Sequence, residues 1–287
     1  MSEPAGLAGG FSRFRIDFAY DGTDFNGWAK QPNLRTVQGD LLNVLQQIFG
    51  PTDNDFGMRV AGRTDAGVHA DHQVCHFDLS PEQQKRLGRT PLTASRLNNL
   101  LPADIAVHSV TLAPDGFDAR FSAIGRSYKY LITDGLCKPN PKRARYALSV
   151  KKELDVDQMQ KGAELLTGLK DFGAFCKPRE GATTIRDLRT LTVTRLDDNS
   201  IEVFLEADAF CHNMVRAIVG SLIAVGEKRQ SLQELKAMQE SAVRGAKVKV
   251  IDPKGLTLDA ISYPSDEKLA EQAQRARRRR TAEEISV

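Results

Sequence analysis

Residues 59–77, RVAGRTDAGVHADHQVCHF, gather most of the groups in this chain that could do chemistry: His69, His72, His76, Asp65, Asp71 and Cys75, with Arg63 and Thr64 beside the first aspartate. Two chemistries fit that set. His69, Asp71, His72 and His76 could hold a divalent metal such as zinc for hydrolysis. Alternatively a single carboxylate, Asp65, could act as nucleophile or base while the histidines play no chemical part.

The metal reading is short of ligands. VHADH matches part of the HxHxDH pattern of metallohydrolases, but Gly67 stands where its first histidine belongs, and His108 and His212 are the only other histidines in the chain. Zinc catalysis ordinarily needs three protein ligands with orienting partners. A strand over residues 73–79 would put His72 and His76 on one face and Cys75 on the other. Histidines satisfied within a strand are the simpler account. Asp65 lies in GRTDAG between Gly62 and Gly67, where the backbone can bend sharply and present a side chain. Arg63 and Thr64 add a phosphate-binding cation and a hydroxyl. An ordinary turn-forming aspartate would look the same, so the residues around it must decide.

Hydrophobic periodicity supplies the elements that would position these groups. FRIDFAY alternates as a strand, and DGTDFNG breaks it with two glycines. Thr36 caps a helix whose apolar stripe is Val37, Leu41, Leu42, Leu45 and Ile48, ending at Gly50-Pro51. Strands follow over 73–79 and 105–112, with a short helix over 91–97 between them. The second half repeats the theme. Strands are expected over 127–133, 186–196, 201–209 and 256–263, and helices over 156–166, 213–225 and 231–241. Two α+β halves are thus predicted: a leader over 1–10, an N-terminal half over 11–113, a C-terminal half over 114–265, and a charged tail over 266–287 expected to lack structure.

Composition limits the classes. A chain of 287 residues with 41% hydrophobic residues can bury a sizeable core. No apolar run nears the roughly 18 residues that span a bilayer, and MSEPAGLAGG lacks the basic start and apolar middle of a secretion signal, so a cytoplasmic protein is expected. Cys75, Cys137, Cys176 and Cys211 show no CxxC spacing and are expected to be reduced. The formal net charge of +3 is small, but Arg120, Arg126, Lys129, Lys138, Lys142, Arg143 and Arg145 stand against one acid, Asp134, across 120–146, with Tyr128, Tyr130 and Tyr146 interleaved. Cations for phosphates and rings for unstacked bases are what an RNA-binding surface needs; a solvated strand face would read similarly.

Taken together the blocks resemble the bacterial tRNA pseudouridine synthases of the TruA type. AYDGTDFNGWAKQPNLRTVQGDL is similar to the family's first strand, glycine-rich turn and helix start, and GRTDAGVHA to its catalytic-aspartate motif without a gap. RFSAIGRSYKY, DFGAFCKP, AFCHNMVRAIVGSL and PKGLTLDAISYP follow in the family's order. GWAKQ departs mildly from the family's glutamine-rich version. The resemblance spans residues 11–264.

The resemblance implies two ferredoxin-like (RRM-like) halves joined into a mostly antiparallel sheet, with helices on one side and a basic cleft. It further implies a homodimer acting on tRNA without metal or organic cofactor, at positions 38–40 of the anticodon stem-loop. Asp65 would be the catalytic carboxylate, Arg216 its paired arginine and Tyr128 the ring stacking on a flipped uracil. Arg63 is a candidate for holding the displaced strand. Tyr130, on the same strand face, is the nearest competitor of Tyr128. Two rival classes remain: a non-catalytic RRM-like RNA-binding protein, although no segment fits an RNP motif, and the metal-dependent hydrolase.

Overall fold

The computed structural model describes residues 10–88, 90–179, 181–246, 248–278 and 280–286. Two compact units divide the chain: Met1–Ile124 with Leu258–Arg278, and Gly125–Thr257 with Arg279–Val287. The first unit runs on to Ile124, past residue 113 where the N-terminal half is expected to end. The expected leader, apart from Gly10, lies outside the described residues.

In the first unit β1 (Ser12–Tyr20) leads through a short turn to α1 (Val37–Phe49), followed by β2 (Arg59–Val60) and β3 (His69–Leu79). Two short helices, α2 (Pro81–Lys85) and α3 (Ala94–Asn98), precede β4 (Ile105–Leu112). β1 lies between β3 and β4, antiparallel to both, with Ile16 opposite Cys75 on one side and Val110 on the other. Alternation along β1 sends Ile16, Phe18 and Tyr20 into the core. The intervening Arg13 and Asp17 meet Asp78 and His72 on the polar face. α1 forms where its stripe and cap predict, with Thr36 Oγ1 accepting from Gly39 N at 3.2 Å. It buries Val37, Leu41, Leu42, Val44, Leu45 and Phe49, each stabilising the fold by roughly 1.5–3 kcal/mol against the exposed state. Asn98 ties α3 to β4 by exchanging two hydrogen bonds with the Val107 backbone.

In the second unit β5 (Gly125–Thr133) and β6 (Leu148–Ser149) pair in parallel. Then come α4 (Val156–Leu166), β7 (Gly168–Asp171), β8 (Ile185–Arg195), β9 (Ile201–Ala207), α5 (Met214–Gly226) and α6 (Leu232–Ser241). Strand order is β5-β9-β8-β7, antiparallel throughout, with Val203 opposite both Tyr130 and Val193. Gln160 anchors α4 on β8 by accepting from Val193 N at 2.8 Å. Gly162 lets Leu222 and Leu235 approach, so α5 and α6 pack closely on α4.

β10 (Leu256–Ser262) carries the chain back, its residues from Leu258 onward belonging to the first unit, where it neighbours β3. Ser262 O accepts from Ile124 N at 2.8 Å and Tyr263 Oη donates to Ala119 O at 2.7 Å. The tail expected to lack structure is partly helical: α7 (Leu269–Arg275) buries Leu269 and Ala273. The fold is therefore α+β with mostly antiparallel pairing, as expected. No helix among the described residues is long and apolar enough to cross a membrane.

Candidate active site

Asp65 sits in the connection between β2 and β3, at a turn in which Val68 N donates to Asp65 O at 3.2 Å and Gly67 takes φ +77°. That sign of φ is why a glycine stands there. The turn is held by the segment after β1: Trp28 N donates to Thr64 O at 3.1 Å and Gly67 N to Phe25 O at 3.3 Å. Gly27 makes the close approach possible, because a Cβ there would lie 3.0 Å from Thr64 O and 3.2 Å from Ala66 N. Asp65 is half-buried, and the Arg63 side chain is exposed. The glycine-rich DGTDFNG is thus the support for the GRTDAG turn.

The histidines are occupied separately. His69 Nδ1 accepts from Gly22 N at 3.1 Å and His76 Nδ1 from Ala119 N at 3.0 Å. His72 Nε2 lies 2.8 Å from Asp17. Asp71 is exposed. Among the described residues no three His, Cys, Asp or Glu side chains are grouped to hold a metal. His69, His72 and His76 thus each meet a different group and Asp71 is exposed, so the four side chains of the metal-dependent hydrolase alternative are not brought together as one ligand set. Burial, and then the nearby Arg13, push the His76 imidazole pKa well below its ordinary value. For Asp17 burial opposes ionisation, yet hydrogen bonds from His72 and Arg15 outweigh it and bring the carboxyl down to about 2.

In the second unit Tyr128 lies on β5 opposite Leu205, with its ring edge-on to Phe210 at 5.1 Å between centroids. It is 8% exposed. Tyr130 shares its face but belongs to the core, with its hydroxyl donating to Asp252 O at 2.6 Å. Gly255 packs against the Tyr130 ring, where a Cβ would come within 2.6 Å of it.

Arg216 is the third residue of α5, and every other residue of that helix is buried. The sequence places Arg216 at the border of one apolar face; in the structure the helix is enclosed all round except at this side chain. Its Nε donates to Ile251 O at 2.7 Å, which sets the plane of the guanidinium. Gly220 brings the helix close enough for that contact, since a Cβ there would clash with Lys249 O at 2.4 Å. Immediately before the helix, Cys211 is bonded to Cys176, with Cα atoms 5.6 Å apart. The expectation of reduced cysteines thus holds for Cys75 and Cys137 and is corrected for this pair, which is separated by 35 residues and visible in no local spacing.

The basic run is less open than its composition implies. Arg143 is paired with Asp198, and Arg126 donates to Asp208 O at 2.8 Å. In the tail, Arg277 lies 4.5 Å from the centroid of the Phe121 ring within the first unit. Arg280 meets Asp208 at 2.6 Å within the second.

A model of a tRNA pseudouridine synthase family matches residues 163–264. The tRNA pseudouridine synthase A of Cutibacterium acnes is 45% identical over 276 residues, covering 96% of this chain and 97% of that protein. The enzyme of the same name from Streptomyces avermitilis is 45% identical over 278 residues, covering 95% of each, and that of Leifsonia xyli 44% identical over 282. Coverage of this extent takes in both units. This chain belongs to the tRNA pseudouridine synthase A family.

Proposed function

We propose that this protein isomerises uridine to pseudouridine in tRNA, with Asp65 as the group that attacks the nucleoside. The observation that carries this reading is identity of 45% along nearly the whole chain to a tRNA pseudouridine synthase A, together with the gapless GRTDAG motif on a braced turn. The reaction breaks the N1–C1′ bond, turns the uracil and forms a C5–C1′ bond. The hydrogen at C5 leaves to water as a proton and N1 gains one, so no electrons are exchanged and no water is consumed. A carboxylate attacking C1′ or C6 can both open and close that sequence.

The remaining roles follow from the resemblance. The resemblance assigns Arg216 as the arginine paired with the catalytic aspartate. Tyr128 stacks on the uracil once it has left its stack, and Arg63 holds the displaced strand. Flipping costs a few kcal/mol, to be offset by phosphate contacts and stacking. The uridines are those at positions 38–40 of the anticodon arm, and the working form is a cytoplasmic homodimer needing no metal. Release of tritium from a tRNA transcript labelled at uridine C5, with pure protein and no added metal, tests the reading. Release that is stoichiometric with converted uridine supports it. Its absence in wild type, or its persistence in Asp65→Asn, sinks it.

A further inference from the structure

Beneath the Asp65 turn lies a polar cluster enclosed by the apolar core of the first unit. Tyr20, at the end of β1, is 4% exposed, Gln73 on β3 is 0% exposed and Thr64 is 7% exposed. Gln73 Nε2 is 2.7 Å from Gly62 O and 3.3 Å from Tyr20 Oη, and Tyr20 Oη is 2.8 Å from Thr64 Oγ1. The direction of the Gln73 bonds follows from their partners. Gly62 O only accepts, so the atom of Gln73 facing it is the amide nitrogen, whose second hydrogen points to Tyr20. The Tyr20 and Thr64 hydroxyls share one hydrogen bond, in which either oxygen can donate. Gln73 Oε1 in turn accepts from Val74 N at 3.2 Å.

A core does not need such a chain. Burying an amide and a phenol costs free energy that hydrogen bonds only just offset, and apolar residues of like shape are often as stable there. Tyr20 shows the strength of the desolvation: burial pushes its phenol up to about 12. What the chain achieves is local. It grips Gly62 by its carbonyl and Thr64 by its hydroxyl, while Trp28 N holds Thr64 O from the other side. The residue that follows is Asp65.

We propose that Gln73, Tyr20 and Thr64 are positioning residues that aim the Asp65 side chain by fixing the two ends of the Gly62–Arg63–Thr64 segment. The proposal rests on the reading of Asp65 as the attacking group. None of the three need touch the substrate. Small displacements of an attacking atom cost far more in rate than in binding, so the signature is a fall in turnover with affinity unchanged.

The experiment uses the full chain and the tritium-release assay, with tRNA affinity and the thermal midpoint measured alongside. Tyr20→Phe keeps the ring and removes the link, and Thr64→Val keeps the shape and removes the hydroxyl. Each is expected to lower kcat roughly tenfold or more while tRNA affinity stays within about twofold of wild type. Thr64→Ser retains the hydroxyl and is expected to restore most of the rate. The double variant Tyr20→Phe/Thr64→Val should be little worse than either single change, because one chain is broken once. Wild-type kcat in both Tyr20→Phe and Thr64→Val overturns the proposal. So does a rate loss matched by loss of affinity and midpoint, or one that Thr64→Ser shares equally with Thr64→Val. Asp65→Asn separates the two layers. If it is inactive while Tyr20→Phe and Thr64→Val are unimpaired, the positioning role alone fails; if Asp65→Asn is active, both fail.

Discussion

The Nε of Arg216 donates to the carbonyl oxygen of Ile251 at 2.7 Å, so the guanidinium on an otherwise enclosed helix is oriented by backbone from the segment ahead of β10. An arginine spared burial on such a helix is costly to keep and informative to change. Arg216→Lys preserves the charge but has no Nε donor and no planar fork, so it should lose most of the activity that Arg216→Ala loses. Arg216→Ala should in addition lower stability by about 1–3 kcal/mol, since Ile251 O loses a charged donor. Paired kcat and urea-unfolding measurements check this. A lysine variant with near wild-type turnover would show that charge alone suffices.

The two strand tyrosines should separate cleanly. Tyr128→Leu is expected to cut the rate well over tenfold per folded molecule, since base–aromatic stacking is worth roughly 1–3 kcal/mol, and to lower the thermal midpoint because the ring is packed against Phe210. Tyr130→Phe removes the bond to Asp252 O and should cost about 1 kcal/mol of stability with little change in kcat per folded molecule. The reverse pattern would mean that the stacking residue has been misassigned.

Those tyrosines also mark where sequence reading stops. The alternation of β5 places Tyr128 and Tyr130 on one face, yet what covers that face is set by Phe210, Asp252 and Gly255, each more than 75 residues away in sequence. Likewise α1 and α4 are legible because cap and stripe are local, and both helices fall where predicted. β2, β6 and β7 are too short to carry a period, and the return of residues 258–278 to the first unit depends on partners such as Ala119 and Ile124. Gln73 was readable as part of a strand but not as a residue serving the Asp65 turn. Its one sequence signal is an amide on an apolar face.

Stability should depend on pH through His76. Buried against the polar face with its Nδ1 accepting from Ala119 N, it holds a proton less readily folded than unfolded. The unfolded chain therefore takes up the proton first as pH drops below about 6.5. The contribution is complete above that value and is lost progressively as pH falls toward the depressed folded value. Thermal midpoints followed between pH 7 and pH 5, roughly spanning the ordinary histidine range, should decline in wild type and decline less in His76→Asn. Equal slopes would assign the pH dependence to other groups.

Binding of tRNA should weaken steeply with salt, because cations contacting phosphates release counterions. The structure separates the basic run into unequal members. Arg143 is already paired with Asp198, whereas Lys142 is exposed. Lys142→Glu is thus expected to lower affinity more than Arg143→Gln, with single-turnover chemistry on bound tRNA retained in both. Fluorescence anisotropy with labelled tRNA at several salt concentrations measures this; a flat salt titration would refute a phosphate-dominated interface.

The glycines that brace the Asp65 turn make the sharpest structural test. At Gly22 a Cβ would lie 1.9 Å from Val68 O, a backbone atom that cannot swing aside, so Gly22→Ala should lower stability by several kcal/mol, in the range reserved for overpacked cores. Gly27 differs in degree. A Cβ there would sit 3.0 Å from Thr64 O and 3.3 Å from Asp65 C, and its φ of +87° adds strain of about 1–2 kcal/mol for any other residue. Gly27→Ala should therefore fold, with a lowered midpoint, but with the backbone around Asp65 displaced by a few tenths of an ångström. On the proposed role of Asp65, that displacement predicts a loss of kcat larger than the loss of stability can explain, at temperatures where the variant is fully folded. Circular dichroism and tritium release on the same samples decide it. If Gly27→Ala is destabilised yet turns over like wild type, the DGTDFNG segment supports the fold and not the aim of Asp65.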